Sequence, residues 1–127
     1  MIGVLIVDYE HGLEILLDLH CQRVNRDDGY WWEIRAWTVS KTKMIPHGIR
    51  YNLTLHDKHN TRVFGMDNVH AISMPKKGKY KGRIVYDHMH RNSHDKGVPY
   101  EFTSPYQLIE DFFAKIDEVI AERESRG

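Results

Sequence analysis

The chain has a single cysteine, Cys21, in 127 residues. One thiol forms no intrachain disulfide and supplies no Cys-based zinc cluster, so a reducing, cytoplasmic setting is expected. Long hydrophobic runs are also missing: nothing approaches the ~20 apolar residues that a membrane span needs. The apolar start, Met1 to Val7, runs into Asp8 and Glu10 without a basic flank, so it does not read as a secretory leader. Internal repeats and low-complexity segments are absent. Net charge is missing too, with 18 Lys and Arg against 18 Asp and Glu. What is present is 41% hydrophobic residues, 11% of all residues being aromatic, which suffices for one modest core and a single domain, 1–127.

The zero charge hides an uneven distribution. Residues 1–40 carry −4, residues 41–100 carry +8 and residues 101–127 carry −4. A basic block between two acidic ones is the footprint of a phosphate-rich partner, although surface lysines also serve solubility alone. Seven of the nine histidines fall in the same block, between His47 and His94.

The pattern along the chain predicts an α+β fold: a curved antiparallel β-sheet of about five strands with a C-terminal α-helix packed on one face. Over residues 14–24, Ile15, Leu17, Leu19 and Cys21 alternate with Glu14, Asp18, His20 and Gln22, which reads as a strand and places Cys21 on the apolar, inert row. Asp27-Asp28-Gly29 is a turn signal, and Tyr30 to Ser40, rich in aromatic and β-branched residues, closes a hairpin over 14–40. Its Trp31, Trp32 and Trp37 could stack bases, but at strand spacing core positions are the more frequent outcome. Over 47–91 the central strands follow. Ile49, Tyr51, Leu53 and Leu55 alternate with Arg50, Asn52, Thr54 and His56, Thr61 to Met66 returns, and Ile84 to His90 forms a fifth strand after a loop at 73–83. The helix is expected over 104–123, with Ser104 and Gln107 as a capping box and Pro105 at the first position. Its apolar stripe includes Leu108, Phe112, Ile116 and Val119. One helix covers one sheet face, so the other is left polar, with Arg50, Asn52, Thr54 and His56 on it. His88 and His90 join that face if Val85 and Met89 are buried.

Imidazole, carboxylate and dense Lys/Arg meet between Arg62 and Arg91. His88 and His90, two apart on a strand, point the same way about 6–7 Å apart. Such a gap fits one phosphate, so the pair can act as base and acid in RNA cleavage through the substrate's own 2′-hydroxyl. Asp67 or Asp87 can orient a histidine, and His70 is near in the pattern. The phosphate-binding set is Arg50, Lys76, Lys77, Lys79, Lys81, Arg83 and Arg91. Three other readings stay open. The H-x-H pair can bind a metal, with His70 and Asp87 completing the set; it can be an ordinary exposed pair; and Asp67-Asn68 can be a simple turn. In a basic setting the expectation is no metal and no cofactor.

The runs HGIRYNLTLHDKHNTRVFGMDNVHA, YDHMHR and PYEFTSPYQLIEDFFAKIDEVI resemble the TumE-type proteins of bacterial and archaeal toxin–antitoxin operons. The matching positions are His47, Tyr51, Arg62, Val63, Asp67, Asn68, His88, His90, Pro99, Tyr100, Phe102, Leu108, Asp111 and Phe112. This chain differs in a long Lys-rich insertion between Asp67-Asn68 and the His pair, so it looks like a divergent branch. The resemblance implies a growth-inhibiting toxin with a small DNA-binding antitoxin as partner. It also implies an activity on RNA, free or as ribosome-bound mRNA. With the residue chemistry, the expectation is a metal-independent endoribonuclease that inhibits translation, working through His88, His90, Asp67, Asn68 and His70, as a monomer or homodimer. A non-catalytic RNA- or ribosome-binding module and a metal-dependent hydrolase are the alternatives.

Overall fold

The computed structural model describes residues 2–69, 87–91 and 97–126, with side chains from residue 8 onward. The elements run α1 (Ile2–Asp18), β1 (Gln22–Asn25), β2 (Trp31–Thr38), β3 (Ile49–His56), β4 (Arg62–Asp67), β5 (His88–His90), β6 (Val98–Pro99) and α2 (Pro105–Arg126). Among the described residues six strands form one open, curved antiparallel sheet in chain order. The α+β architecture is therefore as expected, with one strand more. β6 is two residues long and ends in proline, too short for alternation to reveal it.

The first expected strand is corrected by the structure. Glu14 to Asp18 belong to α1, and only Gln22 onward is extended. The apolar residues of 14–24 alternate, but Leu13, Leu16 and Leu19 are also spaced by three and pack on or against the core. Both periods fit a short apolar-rich window, and the helix wins because it extends upstream over residues set aside as a mere apolar start. Leu16, fully buried, is its core contribution. The helix ends at Asp18, and in the turn that leads into β1 Cys21 adopts the left-handed conformation with φ 65°. Cys21 is exposed, not on a buried row.

Turns form where the sequence marks them. In the first hairpin the Asp28 carboxylate accepts from the Tyr30 N–H at 3.1 Å, and Arg26 N–H donates to the Tyr30 carbonyl at 2.8 Å. In the second, Asp57 Oδ1 accepts from the N–H groups of His59 (2.9 Å) and Thr61 (3.0 Å). Half of the expected capping box of α2 is formed: Ser104 Oγ accepts from Gln107 N–H at 3.0 Å, while no bond returns from the Gln107 side chain to the Ser104 N–H. The Gln107 side chain donates to Asp111 at 2.8 Å.

Both helices lie on one face of the sheet. Leu16 of α1 and Leu108, Phe112 and Ile116 of α2 share a core with Ile34, Ala36, Tyr51, Leu53, Leu55 and Met66. Gly12 lets the helices meet closely, since a side chain there would start 2.9 Å from Tyr106 Cβ. Trp32 faces this core, edge-on to Phe112 and Phe113 with centroids at 6.4 and 5.1 Å. No helix among the described residues is long and apolar enough to cross a membrane. Residues 84–86 of the expected fifth strand and the expected loop at 73–83 lie outside the described residues.

Phe112 is fully buried between Trp32 and Phe64. Phe112→Ala should destabilise the fold by roughly 3–5 kcal/mol through the cavity it leaves. Urea denaturation reads this directly, and an unchanged midpoint would contradict the packing described.

Candidate functional site

In an antiparallel sheet, residues directly opposite one another place their side chains on the same face. The register therefore defines rows across the face away from the helices. One row is Arg35, Asn52, Asp67 and His88; the next is Arg23, Glu33, Thr54, Gly65 and His90. Met89, between the two histidines, turns inward against the core. The expectation that His88 and His90 share the polar face with Asn52 and Thr54 is met for that reason.

Asp67 is where the histidines converge. His88 Nε2 lies 3.1 Å from Asp67 Oδ1, and His90 Nε2 lies 3.4 Å from Oδ2. The two rings meet edge to face with centroids 4.5 Å apart. That is closer than the 6–7 Å expected from strand spacing, because both rings lean onto one carboxylate. The Asp67 carboxylate lies against both imidazoles, and the three side chains form a single centre. His88 is 2% exposed and His90 12% in their side chains, so His90 is the one nearer solvent.

Burial pushes the Asp67 carboxyl pKa up. The hydrogen bond to His88 and the charges of His88 and His90 outweigh that and hold it below the ordinary carboxylate value. Gly97 closes the site from β6. Its φ is +90°, and a β-carbon there would lie 2.8 Å from His90 Cε1 and 3.0 Å from His88 Cδ2. Only a residue without a side chain lets the backbone come down onto both rings.

Asn68 is placed differently. It is fully buried, its Oδ1 accepts from Tyr51 N–H at 3.0 Å, and its Nδ2 donates to the Ile49 carbonyl at 2.7 Å. It extends the ladder past the end of β4 and so fixes Asp67, which precedes it. Arg50 staples the same corner through the carbonyls of Asn68 (3.0 Å) and Val69 (2.9 Å). Arg91 bonds to Glu122 at 3.1 Å and Glu118 at 3.2 Å, both on α2. Of the expected phosphate-binding set these two are described, and both tie the fold together. Lys76, Lys77, Lys79, Lys81 and Arg83 lie outside the described residues, as does His70.

Asp87 is not part of the His88–His90 centre. It lies 3.0 Å from His47 Nε2 and accepts from Tyr51 Oη at 2.7 Å, on the core side of the sheet. His47 Nδ1 accepts from Ile49 N–H at 3.2 Å, so its proton is on Nε2 and points at Asp87. The ring stacks on Phe102, centroids 3.9 Å apart. This latch holds the residue just before β5 and thereby sets where His88 begins.

Further residues of the polar face surround the cluster. Arg62, opposite His56 in register, reaches back along β4 over Gly65, 3.7 Å from where a side chain there would start, and Gly65 is opposite His90. Trp31 stacks on His56 with centroids 3.8 Å apart, and the Arg23 guanidinium sits 3.8 Å above Trp31. Trp37, 41% exposed, is on the same face toward the other end of β2, where its ring meets His20 edge to face. Trp31 and Trp37 thus leave the core to Trp32. Strand parity already separates Trp31 and Trp37 from Trp32, and only the helices' position says which side is open.

The Toxin TumE family matches residues 8–120, most of the chain. No curated protein and no solved structure matches it.

The Tyr51–Asp87 contact makes a test of the latch. Burial first, then the Asp87 charge and hydrogen bond, push the Tyr51 phenol well above its ordinary pKa of about 10. A pKa raised by folding contributes stability that is full below about pH 10 and is lost as pH rises beyond it. Tyr51→Phe should therefore lower stability at neutral pH and flatten its fall between about pH 9 and 11. Urea midpoints against pH measure both, and an unchanged alkaline slope would show that the phenol is not held this way.

Proposed function

The chain belongs to the Toxin TumE family, and from that premise we propose that it is the toxin of a toxin–antitoxin pair and arrests growth by cutting RNA. The observation that carries this reading is the convergence of Asp67, His88 and His90 on the open face of the sheet. Buried titratable groups gathered on one accessible face are what phosphodiester chemistry uses. The surrounding face supports an RNA substrate. Arg23 and Arg35 stand in the rows that hold the cluster, Arg62 reaches over Gly65 beside it, and Trp37 and the Trp31–His56 stack offer surfaces for unpaired bases.

In this reading RNA lies across the strands, its phosphates meeting the arginines and its bases stacking on the indoles. Arg62, whose side chain passes over Gly65 opposite His90, steadies the charge that develops on the scissile phosphate. His90 is the cluster's approach to the substrate, with Asp67 and His88 behind it. Asn68, Arg50 and the Asp87 latch position the cluster and touch no substrate. The nucleophile is the RNA's own 2′-hydroxyl. Its oxygen bonds to phosphorus and loses its proton, the P–O5′ bond breaks, and the 5′-oxygen takes up a proton. DNA of the same sequence is inert. The partner is an antitoxin that binds the toxin and, as such partners do in this resemblance, DNA; the RNA is met free or on ribosomes in the cytoplasm.

Asp67→Asn and His90→Gln keep size and should keep the fold. Each should relieve growth arrest on induction and slow RNA cleavage by on the order of 10²–10⁴-fold, the range for losing a group at the reacting bond. RNA affinity should change little. Variants that remain folded and cleave like the parent would place the chemistry elsewhere. Parent protein that binds RNA at this face and cuts none would make it a binding module.

A further inference from the structure

We infer that Asp67, His88 and His90 are a binding site for one divalent transition-metal ion. The role of such an ion in RNA cleavage rests on the function proposed above; its binding does not.

The first observation is distance. Donors about 2.1 Å from a shared centre lie about 3.0 Å apart at right angles and about 3.4 Å apart in a tetrahedron. The separations here are 3.1 Å from His88 Nε2 to Asp67 Oδ1 and 3.4 Å from His90 Nε2 to Oδ2, so each imidazole meets its own oxygen of a carboxylate that can present both to an ion. One donor atom from each of the three residues falls within 4.8 Å of the others. The 3.4 Å contact is longer than an ordinary N–H···O hydrogen bond.

The second observation is the way the donors are held. β4 and β5 are paired, and Asp67 and His88 are directly opposite. Gly97 backs both rings closely enough that a side chain there would strike them. All three residues come from ordered strands, which keeps the donors together whether or not an ion is bound.

The third is an unused donor beside them. Asn52 faces Asp67 across the β3–β4 pair, and its Oδ1 is buried without a hydrogen-bond partner among the described residues. A buried carbonyl oxygen in that state costs stability unless a partner completes it. A metal ion or a water bound to one would do so.

The donor set selects the class of ion. Two imidazoles and one carboxylate suit Mn²⁺, Fe²⁺, Co²⁺, Ni²⁺ or Zn²⁺ better than Ca²⁺ or Mg²⁺, which favour oxygen-only sites. Three protein donors leave coordination positions for water or a phosphate oxygen, as in catalytic and not structural sites. Two of the basic residues that argued against a metal are engaged elsewhere. Arg50 is turned to the Asn68 and Val69 carbonyls, and Arg91 to Glu118 and Glu122.

The test uses untagged protein stripped by dialysis against a chelator. Co²⁺ is added and followed by its visible absorption, with Zn²⁺ competition and calorimetry for stoichiometry. The expected result is one ion per chain and a raised urea midpoint with Co²⁺ present. Asp67→Asn and His90→Gln should each weaken binding by more than the about 10–100-fold that loss of an outer-shell partner costs. His59→Ala, at an exposed histidine outside the cluster, should bind as the parent does. Folded parent protein that takes up no Co²⁺ at molar excess would overturn the site. So would binding that survives in both cluster variants. Because binding is read without RNA, the two proposals separate. Protein that binds Co²⁺ through these residues and cuts no RNA upholds the site against the nuclease reading. Protein that cuts RNA and takes up no Co²⁺ overturns the site and leaves the nuclease reading standing.

Discussion

The burial of one sheet face, and one only, is the constraint on which this protein depends. Tyr51, Leu53 and Leu55 have no exposed surface, while Asn52 and Thr54 between them stay half-buried. Removing each such apolar side chain from water stabilises the fold by about 1.5–3 kcal/mol, and a slip of one residue in register would forfeit all of them together. Register is thereby set across β2, β3 and β4. The same alternation that sends Leu53 and Met66 inward sends Asn52 and Asp67 outward. The polar face is a by-product of packing two helices on the other side.

Upon that face, position is controlled by bonds that lie beneath it or at its edge. Asn68 pairs with β3 like a strand residue and fixes the end of β4. Asp87, held by Tyr51 and His47, fixes the start of β5 from the core side. Asp67 and His88 are adjacent to these two anchors in sequence and opposite each other in register. The cluster is therefore assembled by neighbours that face away from it. This division separates residues that sit at the site from residues that place it, and adjacency in sequence does not tell the two apart: Asp67 and Asn68 are consecutive and do different work.

Several features were legible because they are local. The alternation of β3, the turn residues at Asp28 and Asp57, and the cap at Ser104 each satisfy backbone or burial needs within a few residues. Features that failed to show were those in which two local patterns compete or none exists. Over residues 14–19 the apolar spacing suits both a helix and a strand, and the choice was made by packing of α1 against α2 and β2. β6 has too few residues for any period. Arg62 looked like one charge among many until the chain brought it across Gly65.

The sequence by itself determined the fold class, the amphipathic strands, the C-terminal helix and the presence of an Asp-Asn pair and an H-x-H pair in one basic block. Those follow from periodicity and residue type, which act over short range. Only the tertiary structure decided that Asp67 joins both histidines while Asp87 joins His47 and Tyr51. Two carboxylates equally plausible in the sequence fall on opposite faces of the sheet. The reason is parity: side chains alternate at every strand position, so which carboxylate meets which imidazole depends on register between strands far apart in the chain, and that is set by burial of the whole face.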